Sequence, residues 1–161
     1  MEWDIYHPDH HPLSDSQLDA VEALIGYKLP ADYRKCVKIN HTGQPRFDEL
    51  EIAVGETSWQ IGFGELITPD PLYSQTNLLE ILRTFRQIDG ATRTVIPIVL
   101  GGAGDYLCLD YTRSSTAPTI VFHFHELCWD DAIFPVANSF TALLEMLKPP
   151  EAEQGEAPDA E

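Results

Sequence analysis

His123 and His125 stand two residues apart in an apolar run, so on a strand both rings would project from one face. Imidazoles at that spacing suit a metal ion, and Cys108 on a neighbouring strand, or Cys128 just downstream, would complete a ligand set. Neither a Cys-x-x-Cys nor a His-Glu-x-x-His spacing supports that reading, and two histidines on a half-polar sheet face explain the pair more simply. His7, His10 and His11 fall in a segment expected to be mobile, where adventitious metal affinity outweighs a built site. No metal or cofactor is therefore expected, and His123 and His125 are the residues on which a metal reading would rest.

Other chemistries fare no better. Gly101-Gly102-Ala103-Gly104 superficially resembles a phosphate cradle, but such loops open a helix and add a Lys followed by Ser or Thr. Here a strand pattern follows, Asp105 would repel phosphate, and a hairpin connection is the better reading. There is no Gly-x-Ser-x-Gly elbow, and Cys36, Cys108 and Cys128 sit in apolar contexts that leave a thiol unreactive. Asp105 and Asp110 are an odd number of residues apart on one strand, hence on opposite faces; Asp130 and Asp131 are neighbours in a loop. Chance carboxylate pairs abound in so acidic a chain. No catalytic residue is expected.

The elements that would position these residues are legible in part. Ser14 and Gln17 form a capping box, Leu13 and Leu18 a hydrophobic staple. Leu18, Val21, Leu24 and Ile25 then make one apolar helix face that Gly26 closes. A second helix begins after Pro30 with Tyr33, Cys36, Val37 and Ile39, Asp32 near its positive end and Lys35 and Lys38 towards its negative end. Leu50, Ile52 and Val54 alternate with Glu49 and Glu51, and across a Gly55-Glu56 turn Trp59, Ile61 and Phe63 alternate again. Helical spacing returns from Asn77 to Ile88. Val95–Leu100, Asp105–Tyr111 and Thr119–His125 read as strands, and a final helix carries Phe140, Leu143, Leu144 and Leu147 behind Asn138 or Ser139. The expected organisation is an irregular segment 1–13, one α+β domain over 14–148, and an acidic disordered tail, 149–161.

Charge excludes several partners. Of 161 residues, 26 are Asp or Glu and 10 are Lys or Arg, a formal charge of −16. Five of those acids lie in the tail. Direct nucleic-acid binding and anionic membranes are disfavoured, since both need basic surfaces. No run approaches the roughly 18–20 apolar residues of a membrane span, and the N-terminus lacks the pattern of a signal peptide. Three cysteines make no disulfide framework, so a cytoplasmic protein is expected. Lys and Arg are missing from residues 1–27 and 47–82 and concentrate in 28–46 and 83–93. An acidic side built by the hairpin would steer a basic partner, or would simply keep the protein in solution.

Several motifs, in order, resemble a known family. Leu18 to Gly43, centred on Leu29-Pro30-Ala31-Asp32-Tyr33, is similar to the opening of SUKH-superfamily proteins of the Smi/Knr type (SUKH-1-like). There an amphipathic helix leads to Leu-Pro-x-Asp-Tyr, a second helix and an Asn-Gly turn, here stretched to Asn40-His41-Thr42-Gly43. Val95-Ile96-Pro97-Ile98, Gly104-Asp105 with Asp110, and Ser139-Phe140 with Leu143-Leu144 resemble the central strand, the hairpin and the closing helix. The resemblance implies an α+β fold, a mostly antiparallel sheet flanked by about four helices. It assigns Leu29, Pro30 and Tyr33 to building the fold and Asp32 to capping or charge-complementing the second helix.

The function implied is that of an immunity protein, which binds and neutralises a cognate polymorphic or contact-delivered bacterial toxin, often a nuclease. Eukaryotic relatives are instead regulatory scaffolds linked to cell-wall signalling, and neither branch is catalytic. The toxin would present a basic surface, and the contact residues expected are Glu49, Glu51, Glu56, Trp59, Asp105, Asp110, Asp130 and Asp131. A regulatory scaffold without a toxin partner is the alternative. A metal-dependent enzyme using His123 and His125 ranks third.

Overall fold

Local signals build the first helices. In the computed structural model, which describes residues 1–73 and 76–148, α1 (Asp15–Ile25) opens on the capping box. The Gln17 N–H donates to Ser14 Oγ at 3.1 Å, and the Ser14 N–H to Gln17 Oε1 at 2.8 Å. Leu13 and Leu18 are both buried beside it. Gly26 ends the helix at φ 84°, a left-handed position that costs other residues a Cβ clash. The inner stripe is Leu18, Val21, Glu22 and Ile25, a strict i, i+3, i+4, i+7 series. Leu24, expected inside, is 64% exposed, because position on the helix outranks hydrophobicity and Glu22 takes the inward place. In α2 (Ala31–Asn40) Tyr33 and Val37 are buried and Cys36 half-buried, while Ile39 lies off the stripe and is exposed.

The sheet that follows is antiparallel throughout. β3 (Glu49–Val54) and β4 (Thr57–Gly62) form a hairpin across Gly55-Glu56, with Leu50 and Ile52 buried and Glu49 and Glu51 exposed. A five-stranded sheet runs in the order β5 (Glu65–Leu66), β6 (Val95–Leu100), β7 (Tyr106–Asp110), β8 (Thr119–His123), β9 (Ile133–Ala137). The glycine loop joins β6 to β7 as the hairpin connection expected, through a short 3-10 turn at Gly102–Gly104. Two further helices complete the α+β fold: α3 (Leu78–Phe85), capped by Asn77, and α4 (Phe140–Glu145), capped by Ser139. None of the described helices is long and apolar enough to cross a membrane.

Both faces of the five-stranded sheet are covered. Leu107, Leu109, Ile120 and Phe122 point into the main core with Leu18, Tyr33, Val37, Phe140 and Leu143 from α1, α2 and α4. Cys108 and Val121 point the other way, against Phe85 of α3, Val95 and Trp129. This two-sided burial explains why β6 reads as a continuous apolar run.

The opening segment departs from expectation. Residues 1–13 are not wholly irregular: β1 (Trp3–Ile5) pairs with β2 (Gly43–Pro45), and Trp3 packs edge-on against Phe63 at 5.8 Å between ring centroids. Three residues are too few for alternation to be read, and the partner strand lies forty residues downstream. β9 is likewise not expected from the sequence, and it carries Pro135 in its middle, which is tolerated because β9 is an edge strand of the sheet. The acidic run 149–161 lies outside the described residues.

Candidate functional site

One base, Lys148, lies beside the acidic hairpin, its backbone bridged to Glu49; most bases of α2 lie against α1 instead. Arg34 bonds Asp19 at 2.8 Å and Glu22 at 2.9 Å; Lys38 bonds Asp15 at 2.9 Å and Lys28 bonds Glu22 at 2.6 Å. Arg34 and Lys38 of α2 and Lys28 on its flank are thus engaged by the acids of α1, whereas Lys35 is exposed and forms no ion pair among the described residues. Glu49 and Glu51 share the outer face of β3, Glu56 sits at the turn, and all three are exposed. Among the described residues no ion pair forms on any of the three.

Trp59 does not stand out as a free aromatic anchor. It is half-buried on the inner face of β4, 5.3 Å from both Phe124 and Phe134 between ring centroids. That packing seats the hairpin against the β8–β9 connection, where Asp130 and Asp131 lie exposed in a 3-10 turn, Trp129–Asp131. Asp105 is committed elsewhere: its Oδ1 accepts from the His125 N–H at 2.9 Å and contacts His125 Nδ1 at 2.7 Å. Asp110 lies at the far end of β7, opposite Thr119 and Val95, and accepts from the Thr112 N–H at 2.8 Å. The structure therefore groups Glu49, Glu51 and Glu56 on one hairpin and leaves Asp110 apart, while Trp129 anchors the Asp130–Asp131 turn to the α3 side of the sheet.

The histidine pair does not form a shared site. β8 ends at His123, so the two-residue periodicity stops before His125. The His123 ring is 1% exposed, boxed by Phe85 at 5.0 Å and Trp129 at 5.5 Å, and neither ring nitrogen has a partner among the described residues. Burial pushes its pKa down. His125 instead is held by Asp105. Cys108 is fully buried beneath the sheet, where burial raises its thiol well above the usual range. No three His, Cys, Asp or Glu side chains among the described residues are arranged to hold a metal ion.

A second histidine cluster was not legible in the sequence. The His10 ring packs at a tilt against His41, 4.5 Å between centroids, and bonds the Ile39 carbonyl at 2.8 Å; His7 packs likewise against Tyr73 at 4.3 Å. The segment expected to be mobile is thus packed in place. His41 is fully buried, with Nε2 2.8 Å from the His11 carbonyl and Nδ1 unpartnered among the described residues. Burial holds its pKa below the ordinary histidine value, and the adjoining His10 and His11 push the same way. Next to it Thr42 adopts φ 63°, a strained conformation for a β-branched residue. The left-handed position thus falls on Thr42 within the stretched Asn40-His41-Thr42-Gly43 turn, and its N–H donates to the Leu66 carbonyl at 2.7 Å. The sequence set out His7, His10 and His11 near the start and His41 in that lengthened turn, but not that they meet.

Comparison with known proteins assigns the family. The sequence model of the SMI1 / KNR4 family (SUKH-1) matches residues 12–146, and the chain belongs to that family. Among solved structures, a crystal structure of a protein from Pseudomonas syringae pv. tomato aligns at 19% identity and a TM-score of 0.45, covering 79% of this chain and 76% of that one. No curated protein matches the sequence.

Proposed function

We propose that this chain is a non-catalytic protein-binding domain that acts in the cytoplasm as an immunity protein, occluding a cognate bacterial toxin of the polymorphic or contact-delivered type. The observation that carries the reading is the unpaired acidic hairpin. Glu49, Glu51 and Glu56 are exposed and form no ion pair among the described residues, while Arg34 and Lys38 of α2 are engaged by α1. Such a surface favours a partner with a basic face and accelerates its encounter at low salt. Affinity would come from buried contacts around the charges, with Asp130 and Asp131 as further acidic contacts.

The test is co-expression with the toxin encoded beside this gene. The wild-type chain is expected to rescue growth and to co-elute with the toxin as a stoichiometric complex. Reversing Glu49, Glu51 and Glu56 to Lys should slow association at least tenfold at low salt. Failure to rescue, together with no complex on gel filtration, overturns the reading in favour of a regulatory scaffold.

A further inference from the structure

β4 offers a sheet edge that is open, long and undefended. The Lys148 N–H donates to the Glu49 carbonyl at 3.0 Å from the side away from β4, so the Glu49–Gly62 pair does not exchange backbone hydrogen bonds. Alternation then directs the N–H and C=O groups of Ser58, Gln60 and Gly62 outward, while Thr57, Trp59 and Ile61 bond to β3. Ser58, Gln60 and Gly62 are all exposed, and a Cβ built on Gly62 meets nothing within 4 Å. Among the described residues no strand or loop pairs with that side.

Natural proteins block such edges with Lys, Pro, bulges or very short strands. The other edges here follow that rule: β1 has three residues, and β9 carries Pro135 and an irregular register. β4 has six residues and contains neither a proline nor any charged side chain.

We propose that β4 takes an extended, basic segment of a protein partner as an added strand. The inference rests on the protein-binding reading above and specifies its mode. Across the hairpin, Glu49 lies opposite Gly62 and Glu51 opposite Gln60, on the outer face. A strand added to β4 would lie two strand spacings from β3, roughly 10 Å, which an extended lysine or arginine and the facing glutamate side chain span together. Glu56 at the turn adds a third carboxylate. A second copy of this chain fits poorly, since pairing β4 with β4 would bring both sets of carboxylates together on molecules of formal charge −16. Main-chain bonds would supply affinity and the carboxylates selectivity.

The experiment uses the full chain and a capped eight-residue peptide of alternating Lys and Val, with Glu-Val as its counterpart. On saturation with Lys-Val, amide exchange at Ser58, Gln60 and Gly62 is expected to slow at least tenfold, with Thr57, Trp59 and Ile61 unchanged. Gln60→Pro removes one outward donor and should weaken the peptide at least tenfold; Gln60→Ala, which keeps the N–H, should stay within threefold. Ser58→Pro provides the same comparison should Gln60→Pro unfold. No binding of Lys-Val, equal binding of Glu-Val, or binding without protection at the three outward amides overturns the proposal. With the neighbouring toxin, protection by Gln60→Ala and not by Gln60→Pro supports strand addition. Protection by both overturns it and leaves the immunity reading standing. If the wild-type chain fails to protect, the immunity reading falls and the peptide result alone decides the edge.

Discussion

The carboxylate of Asp32, in the first turn of α2, accepts from both the N–H and the hydroxyl of Thr141, in the first turn of α4, at 2.8 and 3.0 Å. Its other oxygen accepts from the Tyr33 N–H at 2.8 Å. One side chain therefore satisfies free N–H groups of two helix starts that are far apart in sequence, and its negative charge suits both positive ends. The Asp of the Leu-Pro-x-Asp-Tyr motif thus complements the start of the second helix from within its first turn, the N-cap itself being Pro30, and also fastens the last one. Tyr33 beside it packs edge-on against Phe140 of α4 at 5.2 Å.

Asp32→Ala should lower stability by about 1–2 kcal/mol, as expected for a lost cap with donors left unsatisfied. Asp32→Asn should recover part of this, since its amide oxygen can still accept. Urea unfolding at neutral pH reads both, with the midpoint order wild type, Asn, Ala.

Glu22 is a buried carboxylate held by three donors: Lys28 Nζ at 2.6 Å, the Leu29 N–H at 3.0 Å and Arg34 at 2.9 Å. Burial pushes its carboxyl up, but the hydrogen bonds and the Arg34 charge together hold it below the usual range. Glu22→Ala should cost about 3 kcal/mol by stranding a buried N–H and a guanidinium. The ionised Glu22 stabilises the fold above the ordinary carboxylate pKa, and that contribution fades as pH falls through its lowered folded value. The wild type should accordingly lose more stability between neutral and acidic pH than Glu22→Ala, measured by denaturant titration across that range.

His41 and His123 both have folded pKa values pushed down, chiefly by burial. The unfolded chain then binds more protons, so their contribution is fully present above about pH 6.5 and is lost as pH falls from there towards the folded values. His123→Phe fills the same aromatic box without two unpartnered nitrogens. It should raise stability by about 1 kcal/mol at pH 7.5 and flatten the loss below pH 6.5. Thermal melts from pH 7.5 to 5.5 check both parts, and an unchanged slope would show that His123 does not titrate in the unfolding transition.

Gly64 joins β4 to β5, and a Cβ there would overlap the Leu100 carbonyl oxygen, a backbone atom that cannot rotate away. Gly64→Ala should destabilise by about 2 kcal/mol, as overpacking against a fixed group does. Gly62→Ala, two residues earlier in open space, serves as the control and should change stability far less.

What the sequence revealed was whatever is decided within one element. The capping box at Ser14 and Gln17, the Gly55-Glu56 hairpin and the buried run from Val95 need only neighbours to be read. The illegible parts depend on distant partners. Trp3–Ile5 becomes a strand through Gly43–Pro45, Asp32 finds Thr141, and Glu22 turns inward because Lys28, Arg34 and the Leu29 N–H await it. The candidate site divided along the same line: the exposure of Glu49 and Glu51 followed from alternation, whereas the Asp105–His125 bond and the seating of Trp59 on Phe124 required the fold.

An edge that can accept a foreign strand can also accept a strand from another copy of its own chain. With no proline or charged side chain on β4 to prevent that, the remaining barrier to self-stacking is the mutual repulsion of strongly acidic molecules. Repulsion of that kind is screened within about 8 Å at physiological ionic strength and weakens further in concentrated salt. The acidic surplus would then act as a colloidal guard as well as a lure, keeping an uncapped sheet dispersed until its partner arrives.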